Sequence, residues 1–210
     1  MELQLALDLV DIPGAKQVVK EVAEYIDIVE IGTPVVINEG LRAVKEIKEA
    51  FPSLRVLADL KIMDAGGYEV MKASEAGADI ITVLGVSDDL TIQGAVAEAR
   101  KQNKKIMVDM INVKDIEGRA KEIDELGVDY ICVHSGYDHQ AAGKNSFEEL
   151  SAIRRVVKNA KTAIAGGIKL STLPEVIDAN PDLVIVGGGI TGQEDKKATA
   201  AEMKRLVKQA

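Results

Sequence analysis

The stretch LADLKIMDAGG, residues 57–67, begins as an apolar strand and ends in two glycines, which predict a sharp turn into a helix. Between these ends lie three charged residues within six positions, Asp59, Lys61 and Asp64. Burying an unpaired charge costs free energy, so charges at the end of a buried strand need partners. The stretch therefore predicts either a structural cluster of ion pairs or a catalytic site at a strand's end.

The apolar part of this stretch belongs to a series of short apolar runs that recurs along the whole chain. Each run is rich in Ile, Val and Leu without clean alternation, which is typical of strands buried on both faces of a parallel sheet. The eight runs are LQLAL (3–7), DIVEIG (27–32), LRVLAD (54–59), DIITVL (79–84), KIMVDMI (105–111), DYICVH (129–134), KTAIAG (161–166) and DLVIVG (182–187).

Amphipathic segments separate the apolar runs and predict helices. One of them is PGAKQVVKEVAEYI, residues 13–26, which Asp11 is expected to start. Gly77 and Gly127 fall where two further helices would end. Eight strand–helix units predict a single-domain (β/α)8 TIM barrel over residues 1–210. An open doubly wound sheet is the alternative, although the first strand leads into LDLVDIPG and not into the G-x-G-x-x-G turn of that fold.

The composition limits the partners and the compartment. The chain of 210 residues has a net charge of −8, which argues against nucleic acid or an anionic membrane as a partner, because both need basic surface. Its single cysteine, Cys132, lies in an apolar run and is expected to be a buried hydrophobic residue. The N-terminal segment lacks the basic residues of a signal peptide, and no apolar run approaches the about 18–20 residues of a membrane span. We therefore expect a cytoplasmic protein with small-molecule substrates.

Polar side chains stand at the ends of five predicted strands, where a barrel gathers its reactive groups. They are Asp8 after the first, Glu30 near the end of the second, Asp59 at the end of the third with Lys61 just beyond, Asp109 on the fifth and His134 at the end of the sixth. Four carboxylates at one mouth would repel one another, so they need a cation, which is Lys61, a metal ion or both. Oxygen ligands favour Mg²⁺, with Glu30 and Asp59 on neighbouring strands as the best pair.

The two histidines of the chain are too few for a histidine-rich zinc site. His134, at a strand end, is a candidate base near neutral pH. His139 follows it in the segment GYDHQAAGKN and is expected to be a solvated loop residue.

The seventh and eighth runs end in glycines instead of charges, in AIAGGIK and IVGGGITG. Glycine lets backbone N–H groups approach an anion closely, and barrels commonly bind phosphate in the loops after these two strands. The sequence therefore predicts a phosphate monoester lying across the mouth of the barrel. The candidate phosphate-binding residues are Gly166, Gly167, Gly188 and Gly189.

With its charges on the third strand, the segment DLKIMD has the pattern D-x-K-x-x-D and resembles the signature of the orotidine 5′-phosphate decarboxylase superfamily. The resemblance spans the whole chain and includes ALDLVD, VEIGTPVVINEG, ICVHSGYDHQAAGKN and VIVGGGIT. Glu30, Asp109 and His134 favour the sugar-phosphate branch of the superfamily, which contains hexulose-phosphate synthases and keto-gulonate-phosphate decarboxylases.

This resemblance implies a Mg²⁺-dependent aldolase, a lyase that joins formaldehyde to D-ribulose 5-phosphate to give D-arabino-3-hexulose 6-phosphate. Such a reaction passes through a 1,2-enediolate, whose oxyanion a Lewis-acid metal stabilises. The resemblance implies that Glu30 and Asp59 hold the metal while substrate oxygens complete its shell. Formaldehyde fixation and formaldehyde detoxification would use the same chemistry.

The resemblance also implies roles for the remaining polar residues. Lys61 would add positive charge beside the enediolate, and Asp8 would bind substrate hydroxyls. Asp109 stands where the family has an acid that acts on the reacting end, and His134 is our hypothesis for the base at C1. Asp64 would reach into the active site of a neighbouring subunit, which implies a homodimer with shared active sites.

Other members of the superfamily and of the fold are the alternatives. 3-Keto-L-gulonate-6-phosphate decarboxylase shares the metal and the enediolate, but in that branch a basic residue stands where this chain has Tyr137. Orotidylate decarboxylase needs no metal, and a ribulose-phosphate epimerase would need histidine metal ligands that these strand ends lack. A non-catalytic phosphosugar-binding module would keep the glycine loops but would tolerate loss of the acids.

Overall fold

Eight parallel strands close into a barrel in their order along the chain in a computed structural model, which describes residues 1–141 and 146–209. Each strand pairs with the next and the last pairs with the first, so the predicted (β/α)8 barrel is confirmed and the open sheet is wrong. Residues 142–145, at the end of the segment GYDHQAAGKN, and residue 210 lie outside the described residues. The strands are β1 (Glu2–Leu7), β2 (Ile28–Ile31), β3 (Arg55–Ile62), β4 (Ile80–Leu84), β5 (Lys105–Asp109), β6 (Tyr130–His134), β7 (Lys161–Ala165) and β8 (Leu183–Val186).

Helices connect the strands and cover the outside of the barrel. They are α1 (Ile12–Val22), α2 (Thr33–Glu39), α3 (Arg42–Ala50), α4 (Gly66–Glu75), α5 (Asp89–Lys101), α6 (Ile116–Glu125), α7 (Tyr137–Ala141), α8 (Phe147–Val156), α9 (Leu173–Asp178), α10 (Gly188–Thr191) and α11 (Lys196–Gln209), with a 3₁₀ turn at Ala23–Tyr25. Asp11 caps α1 as predicted, because its Oδ1 accepts the N–H of Gly14 at 2.8 Å. Within the described ranges, no helix has the length and apolar character needed to cross a membrane.

Apolar side chains form two layers, one inside the barrel and one between the strands and the helices. Every strand contributes to the inner layer. Its members are Ala6, Ile28, Leu57, Ile80, Met107, Tyr130, Cys132, Ala163, Ala165, Leu183 and Ile185. The expectation that Cys132 is a buried hydrophobic residue is therefore confirmed. This packed layer forms the floor on which the polar side chains of the strand ends lie.

Four aspartates close the N-terminal end of the barrel by the same contact. Each stands directly before an even-numbered strand, and its carboxylate accepts the N–H of a residue on the preceding strand, whose carbonyl accepts the N–H of the aspartate in return. Without the carboxylate, the buried N–H at the start of the preceding strand would lack an acceptor. Each contact also joins an odd-numbered strand to the even-numbered strand that follows it. The pairs are Asp27 with Leu3, Asp79 with Val56, Asp129 with Ile106 and Asp182 with Thr162, at 2.7 to 2.9 Å between carboxylate oxygen and nitrogen.

The third strand is longer than the sequence suggested. We expected it to end at Asp59 with Lys61 just beyond, and this prediction is wrong, because β3 includes both residues and ends at Ile62. The pairing with β4 is interrupted after Ala58 and resumes where Ile62 faces Val83. The polar residues between these two points lie in an irregular part of the strand and not in a loop.

Gly66 follows β3, and the reason for a glycine at this position differs from the predicted sharp turn. The residue that adopts the left-handed conformation before α4 is Ala65, with a φ of 54°. Gly66 is required because a Cβ atom there would lie 2.1 Å from the carbonyl oxygen of Thr91 on α5. The close approach of two helices, and not the turn itself, therefore explains this glycine.

The aspartate contacts predict a measurable share of the stability. Replacing Asp129 by alanine should lower the free energy of unfolding by about 1–3 kcal/mol, because the buried N–H of Ile106 would lose its acceptor. The Asp129→Asn variant keeps a carbonyl oxygen at the same position and should lose less. Urea unfolding of the three proteins measures the difference, and an alanine variant as stable as the parent would contradict the proposed contact.

Candidate active site

A cavity of about 440 Å³ opens at the C-terminal ends of the strands. Ten of the eleven predicted site residues border it. They are Asp8, Glu30, Asp59, Lys61, Asp109, His134, Gly166, Gly167, Gly188 and Gly189. The eleventh, Asp64, is exposed outside the cavity of its own chain, where its Oδ1 accepts the N–H of Ala65 at 2.7 Å.

Lys61 lies between two buried carboxylates. Its Nζ is 2.8 Å from Oδ2 of Asp59 and 3.0 Å from Oδ2 of Asp109. The same oxygen of Asp109 is 2.8 Å from Nδ1 of His134. Four predicted residues from three strands therefore form one continuous series of polar contacts.

Within this series of contacts, the carboxylate of Asp109 is ionised and accepts hydrogen bonds. Burial alone would raise the pKa of its carboxyl group, but the hydrogen bond and charge of His134 and the charge of Lys61 lower it to about 2. An ionised carboxylate only accepts hydrogen bonds, so Nδ1 of His134 carries the hydrogen. In the neutral ring, Nε2 is then the basic nitrogen.

Lys61 is a permanent cation. Burial would lower the pKa of its ammonium group, but the charges of Asp59 and Asp109 outweigh this effect and hold the pKa above its ordinary value. The ammonium therefore balances part of the negative charge that the mouth of the barrel collects.

Asp59 is held at both carboxylate oxygens. Thr82 Oγ1 donates to Oδ1 at 2.8 Å, and Thr33 Oγ1 and Lys61 Nζ each lie 2.8 Å from Oδ2. The Asp59 side chain is only 7% exposed, so its orientation is set by these partners and not by water. The carboxylate is therefore preorganised before any ligand arrives.

Glu30 lies on β2 beside β3 and has little compensation for its charge. Its Oε2 accepts a hydrogen bond of 2.6 Å from Nε2 of Gln4. Burial, and next the charge of Asp59, raise the pKa of Glu30 well above its ordinary value in spite of this bond. Two acids on adjacent strands thus share a region that would gain stability from a further cation.

A hard divalent ion fits this pair of carboxylates. Such ions prefer oxygen ligands, which Glu30 and Asp59 both offer from neighbouring strands. In the part of the chain that the structure describes, no three His, Cys, Asp or Glu side chains are grouped as a complete metal site. The two carboxylates could therefore supply only part of a coordination shell, and substrate or water oxygens would have to supply the rest.

Asp8 and Tyr137 meet across the mouth of the cavity. The hydroxyl of Tyr137 donates to Oδ2 of Asp8 at 3.1 Å. Burial raises the pKa of Asp8, while this hydrogen bond opposes the rise. Burial and the Asp8 charge raise the pKa of Tyr137 to about 12. The phenol therefore stays protonated and can donate to Asp8 or to a substrate oxygen.

The glycines after β7 and β8 border the opposite side of the cavity. Gly166 and Gly167 have φ angles of 101° and 70°, and a Cβ atom on Gly166 would lie 2.2 Å from the carbonyl oxygen of Ser135. A Cβ atom on Gly188 would meet no atom within 4 Å, which leaves the start of α10 open toward the cavity. The N–H groups of a helix's first residues have no partner within the helix, so they are available to an anion.

Two residues outside the predicted site, His139 and Cys132, also border the cavity. His139 belongs to the short helix α7 and is half-buried on the cavity wall, so the expectation of a solvated loop residue is wrong. Cys132 lies in the cavity floor, and burial raises the pKa of its thiol well above the ordinary value. A protonated thiol is a poor nucleophile, which agrees with the packing role expected for Cys132.

Sequence reasoning missed the residues that hold the charged groups in place, chiefly Gln4, Thr33 and Thr82. A signal for two of them was present, because Gln4 interrupts the apolar run LQLAL and Thr82 interrupts DIITVL. Both are almost fully buried and face the barrel interior with the alternate residues of their strands. A polar residue that takes an inward position in a barrel strand needs a polar partner there.

Comparison with known proteins agrees with the fold. The model of the orotidine 5′-phosphate decarboxylase / HUMPS family matches residues 1–203. A 3-hexulose-6-phosphate synthase of Bacillus subtilis (strain 168) is 79% identical over 209 residues, which cover 100% of both chains. The crystal structure of 3-hexulose-6-phosphate synthase from Salmonella typhimurium has a TM-score of 0.97 and 42% identity, and covers 100% of this chain and 99% of that chain.

A more distant neighbour represents the decarboxylase branch. The structure of 3-keto-L-gulonate-6-phosphate decarboxylase from Vibrio cholerae has a TM-score of 0.86 and 26% identity, with coverage of 99% of this chain and 97% of that chain. The resemblance noted from D-x-K-x-x-D is thus confirmed over nearly the whole length, and the chain belongs to the orotidine 5′-phosphate decarboxylase / HUMPS family.

Proposed function

We propose that the chain is a Mg²⁺-dependent aldehyde-lyase that condenses formaldehyde with D-ribulose 5-phosphate to give D-arabino-3-hexulose 6-phosphate. Relatives named 3-hexulose-6-phosphate synthase, at 79% and 52% identity over essentially the full chain, support an enzyme with this activity. The observation that carries the proposal is the contact chain Asp59–Lys61–Asp109–His134 at one side of a cavity whose other side is lined by glycines. It supplies a base and a fixed cation at one end of the substrate and room for a phosphate at the other.

The base in this proposal is His134. Asp109 accepts the Nδ1 hydrogen, which leaves Nε2 to remove the proton from C1 of the ketose. The carbon–carbon bond then forms between C1 and the formaldehyde carbon. The proton held by His134 can return to the alkoxide oxygen that formaldehyde becomes. Asp109 stays ionised throughout because its pKa is about 2, so it orients the ring and does not itself donate a proton.

Lys61 would stabilise the negative charge that develops as C1 loses its proton. Its protonated state also suits a reaction with formaldehyde, because a neutral amine would attack this electrophile while an ammonium group has no lone pair to do so. The raised pKa of Lys61 therefore keeps the cation beside the substrate and unreactive toward it.

Glu30 and Asp59 would hold Mg²⁺, which when bound supplies Lewis-acid charge to the substrate oxygens at the reacting end. Asp8 and Tyr137 would bind substrate hydroxyls, since one accepts and the other donates hydrogen bonds at the same point of the rim. Gly166, Gly167, Gly188 and Gly189 would bind the phosphate through their N–H groups.

We also propose that the enzyme is a homodimer with shared active sites. Among the residues that the structure describes, seven large apolar side chains are exposed, and each lies in a segment that follows the C-terminal end of a strand. They are Leu9, Ile37, Met63, Tyr68, Val86, Leu90 and Tyr137. Exposed apolar surface often marks a contact with another protein, so a second copy is the expected partner. Asp64 lies among them and outside its own cavity, from where it could reach the partner's substrate.

The activity is tested by mixing the protein with ribulose 5-phosphate, formaldehyde and Mg²⁺ and following formaldehyde. We expect consumption that a chelator stops and that added Mg²⁺ restores. The Asp59→Ala variant should lose this turnover by about a thousandfold or more, because it lacks one proposed metal ligand and one of the two carboxylate partners of Lys61. Direct titration with Mg²⁺ should show weaker binding by the variant. A parent protein that leaves formaldehyde unchanged would refute the proposed function.

The role of His134 is tested without formaldehyde. In D₂O the parent protein should exchange the C1 proton of ribulose 5-phosphate, and His134→Asn should reduce this exchange by about a hundredfold to ten thousandfold. Asp109→Asn should also slow it strongly, because an amide can stabilise the wrong tautomer of the ring. Exchange at the parent rate in His134→Asn would remove this residue from the role of base.

The dimer is tested at the start of α5. Leu90 is 76% exposed, and Leu90→Glu should convert the dimer into monomers, because a charge buried at the interface has no partner. The matched control is Gln102→Glu, which adds the same charge at an exposed position just after the other end of α5 and should leave the dimer intact. Sedimentation equilibrium gives both masses. A monomeric parent, or a dimeric Leu90→Glu variant, would contradict the proposed interface.

A further inference from the structure

Strands β3 and β4 lose their regular pairing where the site begins. Ala58 pairs with Ile81 and Ile62 pairs with Val83. Between these two pairs, β3 advances by four residues while β4 advances by only two. The extra residues form a bulge, and within it Lys61 adopts a left-handed backbone conformation with a φ of 50°. This conformation is unfavourable for a residue with a side chain, so it persists only where neighbouring contacts hold it.

Thr82 is the residue of β4 that stands opposite the bulge. Its Oγ1 accepts the N–H of Lys61 at 2.9 Å and donates to Oδ1 of Asp59 at 2.8 Å. One oxygen atom therefore joins the left-handed backbone to the carboxylate beside it. Thr82 is 3% exposed, so water does not compete effectively for either contact.

We propose that Thr82 is a positioning residue that sets the placement of Asp59 and Lys61 relative to each other. This inference rests on the proposed function, in which these two side chains act at the reacting end of the sugar phosphate. The hydroxyl of Thr82 uses its single hydrogen on Asp59 and a lone pair on Lys61, so it acts through them and not on the substrate.

Thr33 does not duplicate this function. Its hydroxyl lies 2.8 Å from both the carbonyl oxygen and Oδ2 of Asp59, and its one hydrogen serves only one of them at a time. Among the described residues, the structure records no hydrogen bond between Thr33 and the backbone of Lys61. Loss of the Thr82 hydroxyl would therefore leave the Lys61 N–H without an acceptor and Oδ1 of Asp59 without a donor.

The Thr82→Val variant keeps the shape of the side chain and removes both contacts. We expect kcat to fall by about tenfold to a hundredfold, while KM for ribulose 5-phosphate changes by less than about threefold, because the phosphate site on β7 and β8 is untouched. Thr82→Ser keeps the hydroxyl and should stay within about threefold of the parent in kcat. Thr82→Ala removes the hydroxyl without adding a methyl group and should lose kcat as the valine variant does.

Thr162→Val is the matched control. Thr162 is also a buried barrel threonine whose hydroxyl contacts an aspartate, with 3.1 Å between its Oγ1 and Oδ2 of Asp182, but it lies at the N-terminal end of β7. Its variant should lower the melting temperature and leave kcat within about twofold. If Thr162→Val loses as much kcat as Thr82→Val, or if Thr82→Ser loses as much, general destabilisation explains the data and the proposal is overturned.

Hydrogen exchange of the Lys61 amide gives a readout that does not depend on turnover. The amide should exchange about tenfold faster or more in Thr82→Val than in the parent and in Thr162→Val, because its buried acceptor is gone. Unchanged exchange together with unchanged kcat would overturn the proposal. A parent protein that consumes no formaldehyde would refute the proposed function instead, and the exchange data would still decide whether Thr82 holds the bulge.

Discussion

The mouth of this barrel depends on the ion pairs of one ammonium group. Lys61 lies within 3.0 Å of carboxylates from two strands, Asp59 on its own strand and Asp109 on β5. Burying either acid alone would be costly, because the interior offers little solvation for an uncompensated charge. The Lys61 ammonium lies between the two carboxylates and offsets their mutual repulsion. The orientation and tautomer of His134 follow, because they depend on an ionised Asp109.

Lys61 does not balance all the negative charge around the mouth of the barrel. Asp8 and Glu30 border the same cavity, and burial raises the pKa of both. One fixed cation cannot compensate four acids, so the region of Glu30 and Asp59 is suited to a second positive charge. A purely structural ion-pair cluster would be expected to satisfy its own charges. The excess of acid at a ligand-sized cavity is the physical reason for proposing a site that works with a bound cation.

The same residue type serves opposite purposes at the two ends of the barrel. At the N-terminal end, four aspartates accept strand N–H groups and join the strands in pairs. At the C-terminal end, the carboxylates of Asp8, Glu30, Asp59 and Asp109 border a cavity instead. The residues that stabilise the barrel and the candidate site residues therefore lie at opposite ends of the strands, as is typical of this fold. Substitutions in one set should leave the other largely intact.

The barrel, and ten of the residues that border its cavity, could be predicted from the amino-acid sequence, because both follow from periodic patterns. Buried parallel strands require continuous apolar runs, and reactive groups then fall at the ends of those runs, as Asp109 and His134 do. The tertiary structure alone decided how the charges are held. The bulge at Lys61, the hydroxyl of Thr82 opposite it and the amide of Gln4 beside Glu30 arise from contacts between strands that are 21 to 26 residues apart in the chain. No local pattern specifies such contacts, since the register of two strands is set by the packing of the whole barrel.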